Sequence, residues 1–536
     1  MGINSGSEPK DHIRTKVDIE GYHMFSKILV ANRGEIACRI IASCRKLGIP
    51  SVAVYSSADR NGLHTRIADE AFEIGEAEAS LSYLNQDALL KVAVEHGVDA
   101  IHPGYGFLSE NSKFVEKCEQ LGISFIGPTA YAIEQMGNKI KARQIAIDAG
   151  VPVIPGSEGA VGDQEAEGIA RMIGFPVMVK ASGGGGGIGM SIAENTAELS
   201  EALRKSRSLA QSSFGNAEVY LEKYLPLAAH IEVQVLGDNH GNAVHLFERD
   251  CSIQRRNQKV IEETPTLKLT QNLREDILSA ALTLAKHIGY KSAGTVEFIV
   301  DSHQNFYFLE MNTRLQVEHA ITEMITGIDI VEYQIRVAAN QVLDISQDNI
   351  TRTGHSIECR IYPEDPYSMM PQAGVLTGVS LPKGNGIRVD HALFLGYEVS
   401  SHYEPLMAKL ITWGKNRDEA IRKMRSALED TVTEGVVNNI PLILAVLRNQ
   451  EFILGTYHTK MLDSLAIDER WNRFSIPGTA ITVSGPKALQ ENMARAIIIA
   501  LQTLKKEKIT STRTSMWKHE TKSMQFRSRE FEKTKW

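Results

Sequence analysis

The sequence predicts an α/β protein built from several units, and three observations carry that reading. Apolar strands alternate with helical stretches from Lys27 to Ala149, a pattern that builds a parallel sheet. Five consecutive glycines, Gly183 to Gly187, lie between two extended apolar stretches. Further along, Glu297 to Val300 and Phe306 to Asn312 flank the polar turn Asp301-Ser302-His303-Gln304-Asn305, which reads as a β-hairpin. A chain of 536 residues also exceeds what one hydrophobic core serves.

The first unit opens at Met24. Ile28 to Ala31 is a strand, Asn32-Arg33-Gly34-Glu35 a turn, the stretch to Leu47 a helix, and Ser51 to Tyr55 the next strand. Ala100 to His102 and Ser124 to Gly127 continue the series, and a helix over Lys139 to Ala149 leads out of it. A smaller, strand-rich unit of about 153–226 holds the glycines, and a larger mixed unit to about residue 345 carries the hairpin. From Gly354 short strands recur at 355–362, 375–381, 387–391 and 410–414. Helices at 417–428 and 441–449 close this last unit near Ile467.

Hydrophobic residues at 43% and charged residues at 23% are those of a soluble globular protein. A net charge of −7 gives no hint of nucleic-acid binding. No apolar run approaches the ~20 residues that cross a bilayer. The five cysteines (Cys38, Cys44, Cys118, Cys251, Cys359) include no CxxC, which points to a reducing cytoplasm and away from a zinc site or disulfide framework. Residues 1–23 read as a polar extension without a secretory core. Lys505 to Trp536 carry ten Lys/Arg against four Glu, a basic tail that either meets a partner or is simply solvated.

Side chains alternate along an extended strand, so Glu310, Asn312, Arg314, Gln316 and Glu318 share one face if the strand runs that far. Glu297 joins them from the partner strand. One reading is a solvated face; the other is a divalent-metal and anion site, because acids beside a core need pairing or a metal. Gly184, Gly186 and Gly189 satisfy GxGxxG, yet the following Met190 to Ala193 is extended rather than helical, and a Walker ending is absent. The glycines therefore form a loop between strands, either a plain flexible turn or a set of backbone N–H groups for phosphate oxygens beside Lys180. Val219 to Leu225 is a strand entering a loop whose backbone can meet an adenine edge. His230, Glu232 and Gln234 share a strand face. Arg249, Arg255, Arg256 and Lys259, interleaved with Gln, Asn and Glu, suggest a shaped site for a small anion with Lys259 as its point charge.

These stretches together resemble the biotin carboxylases, a branch of the ATP-grasp enzymes, over about residues 24–466. The resemblance rests on Ile28 to Ala37, His102 to Asn111, Met136 to Lys139, the glycine loop, Arg249 to Glu263, Glu310 to His319 and Glu358-Cys359-Arg360-Ile361, in that order. It implies an ATP-grasp fold with an N-terminal Rossmann-like parallel-sheet domain (24–137), an ATP-grasp domain (138–345) with a glycine-loop lid (about 153–226), and a C-terminal mixed α+β domain (354–467). Extensions at 1–23 and 468–536 flank them.

The implied chemistry is phosphorylation of bicarbonate by ATP, followed by transfer of CO2 from carboxyphosphate to N1 of biotin on a carrier protein. The resemblance assigns Glu297, Glu310 and Asn312 to Mg2+ or Mn2+. It assigns Lys139, Lys180, Gly186, Gly187, Glu222, Lys223, Tyr224, Leu225, His230, Asn257, Glu297 and Glu310 to ATP. Lys259, Arg314 and the Val317 backbone would hold bicarbonate, Glu318 would be the general base tuned by Arg314 and Arg360, and Arg360 would also meet the biotin ureido oxygen. Ile188 and Glu404 depart from the family pattern, which has a basic residue and Asp there.

No Met-Lys-Met biotinylation site occurs in the chain. The implied partners are therefore a separate biotin carboxyl carrier protein and a carboxyltransferase subunit, within an acyl-CoA carboxylase and with a second copy of the chain as homodimer. The alternatives are the same subunit of a two-subunit pyruvate or 2-oxoacid carboxylase, and a silent homologue that scaffolds a complex. No nucleic-acid or membrane partner is implied.

Overall fold

A computed structural model describes residues 24–183 and 189–465, together with two short strand pairs, Asp18–Ile19 with Tyr22–His23 and Phe474–Ser475 with Thr482–Val483. The chain divides into units Met1–Ala466 and Ile467–Trp536, and of the second only the 474–483 pairing is described. Gly186, Gly187, Ile188 and the basic tail lie outside the described residues.

β1 (Ile28–Val30) is an aliphatic run buried at every position, as a strand covered on both faces must be. α1 (Gly34–Lys46) follows, with Ile36, Ala37, Ile40, Ile41 and Cys44 recurring at helical spacing and buried. β2 (Ser51–Ser56), β3 (Glu70–Gly75), β4 (Ala100–His102) and β5 (Ser124–Phe125) complete a parallel sheet of order β3-β2-β1-β4-β5. β3 escaped the sequence reading because only Ile74 in it is buried, which leaves no alternation to detect.

The chain works outward from β1 to β3 and then returns to the other side at β4. Such a reversal opens a crevice at the carboxyl ends of the two central strands. Asn32 to Glu35 and Tyr105 to Phe107 emerge there. Asn32 Nδ2 donates to the carbonyls of Pro103 (2.6 Å) and Tyr105 (2.7 Å), tying the two loops together. Gly104 permits this approach: its φ is +64°, and a Cβ would sit 3.0 Å from Asn32 Nδ2 and from Ile36.

α2 (Lys139–Asp148) begins at Asn138, whose side chain accepts from the N–H groups of Ile140 and Lys141. The unit beyond it is richer in helix than expected. α3 (Asp163–Ile173) and α4 (Thr196–Phe214) outweigh the antiparallel strands β6 (Val177–Ala181), β7 (Ser191–Ala193) and β8 (Val219–Lys223), which lie in the order β8-β6-β7. Val177, Met178 and Val179 pair with Ala193, Ile192 and Ser191, so the glycines do connect two strands.

The largest element is an eight-stranded antiparallel sheet. Its strands are β9 (Ala229–Gly237), β10 (Ala243–Arg255), β11 (Gln258–Thr264), β12 (Ser292–Val300), β13 (Phe306–Asn312), β14 (His355–Ile361), β15 (Ile387–His391) and β16 (Ala408–Gly414), in the order β13-β12-β9-β10-β11-β14-β16-β15. Strands from before 345 and after 354 therefore share one sheet. They join where Ile261 and Glu262 face Cys359 and Glu358, a pairing that satisfies two edges that would otherwise lie open. The strand expected over 375–381 is broken into Gly374–Val375 and Gly378–Ser380, each paired outside this sheet. β13 stops at Asn312, and the chain leaves the sheet through 313–318 before α5 (His319–Thr326). Among the described residues, no helix is long and apolar enough to cross a membrane, and all five cysteines are free thiols.

Burial holds His64 neutral, down at about 4 from its usual 6.5, with the nearby Asp59 only partly opposing. The unfolded chain takes up that proton below about 6.5, whereas the folded one does so only near 4, so this term is lost as pH falls. His64→Gln removes it. The stability gap between wild type and H64Q should shift in favour of the variant by about 2 kcal/mol between pH 6.5 and 5. Urea titrations at the two pH values measure this, and a gap that stays constant would contradict it.

Candidate active site

On one face of the large sheet, register brings acids side by side. Glu297 on β12 lies opposite Glu310 on β13 and opposite Glu232 on β9. Like charges abreast on a buried face repel unless cations lie between them. Lys259 of β11 supplies the first cation: its Nζ lies 2.5 Å from Glu232 Oε2, 2.9 Å from Glu297 Oε1 and 2.8 Å from Glu318 Oε1. Lys139, at the start of α2, takes Glu310 Oε2 at 2.5 Å. Arg249, wholly buried, donates from Nε to Glu232 Oε1 (2.5 Å), from Nη1 to Gln234 and Thr322, and from Nη2 to Thr295.

The four cations of the basic run do not all face one place. Arg256 and Asn257, at φ +48° and +66°, form a two-residue turn joining β10 to β11, and register shifts between Asp250 and Gln254 interrupt the alternation, so the cations go to different places. Arg249 points inward to Glu232, and Arg255 pairs with Glu364. Arg256 and Asn257 sit at the tip and line the cleft. Of the four cations, Arg249 and Lys259 both reach the row of acids, Arg249 at Glu232 and Lys259 at Glu232 and Glu297, and the Lys259 charge is already matched by three carboxylates.

Because β13 ends at Asn312, the expected alternation from 310 to 318 does not persist. Arg314, Gln316 and Glu318 reach the site from a loop. Arg314 Nε donates to Glu110 Oε2 (3.0 Å), Nη1 to Gln316 and Nη2 to Asn312 Oδ1 (3.0 Å). Glu318 is fully buried, held at Oε1 by Lys259 and at Oε2 by Arg360 Nη2 (3.0 Å). Burial raises its proton affinity, but Lys259, Arg360 and Arg249 outweigh burial and hold the carboxyl well below the usual range. The tuning expected from Arg314 and Arg360 thus comes from Lys259 first, then Arg360. Arg314 is occupied with Glu110.

Arg360 also donates from Nε to Glu262 Oε1 (2.6 Å). Glu262 faces Glu358 across β11 and β14, and both Glu358 oxygens lack a hydrogen-bond partner among the described residues. Burial pushes both carboxyls up, Glu358 far up, which suits two facing acids with too few cations between them.

A cleft of about 1170 Å³ gathers the remaining residues. Its walls include Asn32 to Ile36 and Tyr105 to Phe107 from the parallel sheet, and Lys180, Glu222, Lys223, Tyr224 and Leu225 from the smaller unit. From the large sheet and its loops come Lys139, His230, Asn257, Lys259, Glu297, Glu310, Asn312, Arg314, Val317, Arg360 and Glu404. Glu318 does not line it, lying behind Lys259 and Arg360. Lys223 Nζ is committed to the carbonyls of Gly174 and Phe175, so its charge is not aimed at a ligand. The Val317 carbonyl accepts from Lys409 Nζ (2.6 Å). His230 Nε2 lies 2.7 Å from Glu297 Oε2, and although burial disfavours its charged form, Glu297 raises its proton affinity overall.

Glu297, Glu310 and Asn312 fit a hard divalent cation. Two carboxylates and an amide converge on the cleft, and although burial opposes ionisation, Lys259 with His230 holds Glu297 low and Lys139 holds Glu310 low. Ammonium groups now occupy the place where positive charge is wanted. Sequence reading placed Glu232 on a strand face with His230 and Gln234 but gave it no role, and it gave none to Glu110 or Glu262; each holds a cation of the site. An acid flanked by aliphatic residues within a strand, as Glu232 is in β9, is the signal that could have given it one.

Three family models match the chain: "Biotin carboxylase, N-terminal domain" over 24–133, "Carbamoyl-phosphate synthase L chain, ATP binding domain" over 138–346, and "Biotin carboxylase C-terminal domain" over 358–464. A subunit of pyruvate carboxylase from Methanothermobacter thermautotrophicus is 52% identical over 442 residues, covering 82% of this chain and 90% of that protein. Biotin carboxylase 2 of Bacillus subtilis is 52% identical over 440 residues, covering 82% and 99%. Among solved structures, the biotin carboxylase domain dimer of Hydrogenobacter thermophilus 2-oxoglutarate carboxylase, in complex with MgADP, ADP and bicarbonate, superposes with a TM-score of 0.81. It is 49% identical and covers 82% of this chain and 98% of that one.

Arg249 is the buried counter-ion of Glu232, so replacing it with methionine leaves that carboxylate dependent on Lys259 alone. R249M should lose about 3–5 kcal/mol of unfolding free energy. Urea denaturation checks this; a loss below about 1 kcal/mol, the size of a surface pair, would show that Glu232 does not need the guanidinium.

Proposed function

Because this chain belongs to the biotin carboxylase family, we propose that it uses ATP to activate bicarbonate and carboxylates N1 of biotin on a separate carrier protein. The observation that carries the residue assignments is Glu318, a buried carboxylate clamped by Lys259 and Arg360, which line a cleft that also presents Glu297 and Glu310.

At one end of the cleft Lys139 and Lys180 meet the ATP phosphates, with Gly186 and Gly187 closing over them. Glu222 to Leu225, His230 and Asn257 surround the rest of the nucleotide. Glu297, Glu310 and Asn312 hold Mg2+ or Mn2+, which supplies neutralisation of phosphate charge. Lys259, Arg314 and the Val317 backbone hold bicarbonate, and Glu318 accepts its proton as a bicarbonate oxygen bonds to the γ-phosphorus and ADP leaves. Carboxyphosphate then parts into CO2 and phosphate; the phosphate accepts the N1 proton of biotin, Arg360 stabilises the negative charge this leaves on the ureido oxygen, and N1 bonds to the CO2 carbon.

The geometry supports a specific order of events at Glu318. Lys259 is the strongest influence opposing protonation there. When its ammonium turns to the bicarbonate anion, Glu318 loses its nearest counter-charge and its proton affinity rises as the substrate's proton comes within reach. The resting site therefore keeps its base ionised, and substrate binding makes it basic.

For the final acceptor we propose an acyl-CoA, delivered through a carboxyltransferase subunit, with the chain acting as a homodimer in the cytoplasm. Propionyl-CoA carboxylase alpha chain of Ruegeria pomeroyi, 48% identical over 461 residues, supports this reading. A 2-oxo acid acceptor is the second reading, favoured by the archaeal pyruvate carboxylase relative and by the small subunit of 2-oxoglutarate carboxylase, 49% identical over 442 residues. The choice lies with the transferase. Affinity purification of the tagged chain should recover a biotinylated carrier with an acyl-CoA carboxyltransferase; recovery of a 2-oxo acid transferase instead would decide for the second reading.

Glu318→Gln should retain ATP binding and abolish bicarbonate-dependent ADP release with free biotin as acceptor. Titration calorimetry and a coupled ADP assay read the two halves separately. An active variant would remove Glu318 from the role of base.

A further inference from the structure

Behind the nucleotide end of the cleft lies a buried cation that none of these roles uses. Arg143 sits on α2 one turn beyond Lys139 and is 9% exposed. Among the described residues, its Nε and Nη1 have no hydrogen-bond acceptor. Nη1 lies 3.5 Å from Glu222 Oε1, while Lys180 Nζ bonds the other oxygen, Glu222 Oε2, at 2.8 Å. One carboxylate is therefore shared between two cations, firmly with Lys180 and loosely with Arg143. Lys180 and Glu222 line the cleft, and Arg143 stands behind them. Lys139, the other cation nearby, is taken by Glu310.

Leaving guanidinium donors unused in a buried site is costly, so the arrangement makes more physical sense as one of two states. Lys180 can hold Glu222 or a nucleotide phosphate, but its ammonium must turn from one to the other. When it turns, Glu222 Oε2 is left buried beside a polyanionic ligand with its close counter-ion gone, the costly way to break a buried pair. Arg143 needs to move only about 0.5 Å to bring 3.5 Å to ordinary hydrogen-bond length. Its rigid fork can engage both carboxylate oxygens, which an ammonium does less well.

We propose that Arg143 is the exchange partner of Lys180: it takes over the Glu222 carboxylate when Lys180 turns to the phosphates of ATP. It is a positioning residue, acting on the ligand through Glu222 and Lys180. The inference rests on the nucleotide-binding reading of this cleft.

Calorimetric titration with MgATP of wild type, Arg143→Met, Glu222→Gln and the double variant tests it. R143M should bind ATP roughly tenfold more weakly, with KM for ATP rising in step and kcat within about twofold. In the E222Q background there is no carboxylate charge to take over, so adding R143M should change affinity by less than about twofold. Arg143→Lys, which keeps the charge, should recover most of the affinity. The proposal is overturned if R143M binds ATP as wild type does, or if it weakens binding equally in both backgrounds, which would mark a diffuse contribution to positive potential. If R143M does not fold, Arg143→Gln in the same two backgrounds carries the same comparison. A wild-type chain that binds no ATP would instead refute the nucleotide reading itself.

Discussion

The contact of one ammonium group with three carboxylates organises the heart of this molecule. Lys259 reaches Glu232, Glu297 and Glu318 at once, and those acids come from β9, β12 and the loop before α5. Without that charge the acids could not stand together in a buried site, because Glu232 and Glu297 face each other across a single strand spacing and Glu318 is fully buried beside them. The arrangement extends in both directions. Arg249 completes the neutralisation of Glu232 from beneath, and Arg360 links Glu318 to Glu262.

A site held this way is already polarised before any ligand arrives. Its lysines stand where a metal or an anion would place its own charge, so ligand entry replaces one set of charge pairs with another. Lys259 can exchange Glu318 for an anion, Lys139 can release Glu310, and Lys180 is bonded to Glu222 in the same manner. Such exchange keeps buried charge compensated throughout, which matters more in a dry cleft than the strength of any one pair. The unbroken eight-stranded sheet provides the rigidity for it. Arg360, from the C-terminal segment, sits beside Lys259 because β14 pairs directly with β11. The parallel sheet contributes a wall through the crevice between β1 and β4.

Strongly patterned elements were legible from the sequence: the β1–α1–β2 alternation, the hairpin of β12 and β13, and the glycine loop as a connection between strands. Elements without a pattern were not. β3 buries too little to show alternation. α3 and α4 do carry helical spacing, burying Ala166 and Ala170 and then Leu199, Ala202, Leu203 and Ala210, and the sequence reading passed over it. The basic run was legible only in part, for a related reason. A cluster of charges in one dimension does not say what each will meet: Arg249 and Lys259, on either side of the turn at Arg256-Asn257, converge on the two oxygens of Glu232, whereas Arg255 goes to Glu364.

By itself the sequence determined the family, the succession of elements and the candidate residues for the chemistry, because motifs and strand periodicity are local properties of the chain. Only the tertiary structure decided how those residues share charge. It showed that Glu318 lies behind Lys259 and Arg360, that Arg314 is held by Glu110, that Glu232 is the hidden anchor and that Arg143 stands with unused donors beside Glu222. The physical reason is that electrostatic partnership in a buried site depends on distances of a few ångströms between segments tens to hundreds of residues apart. No local pattern encodes those distances; the register of the sheet does.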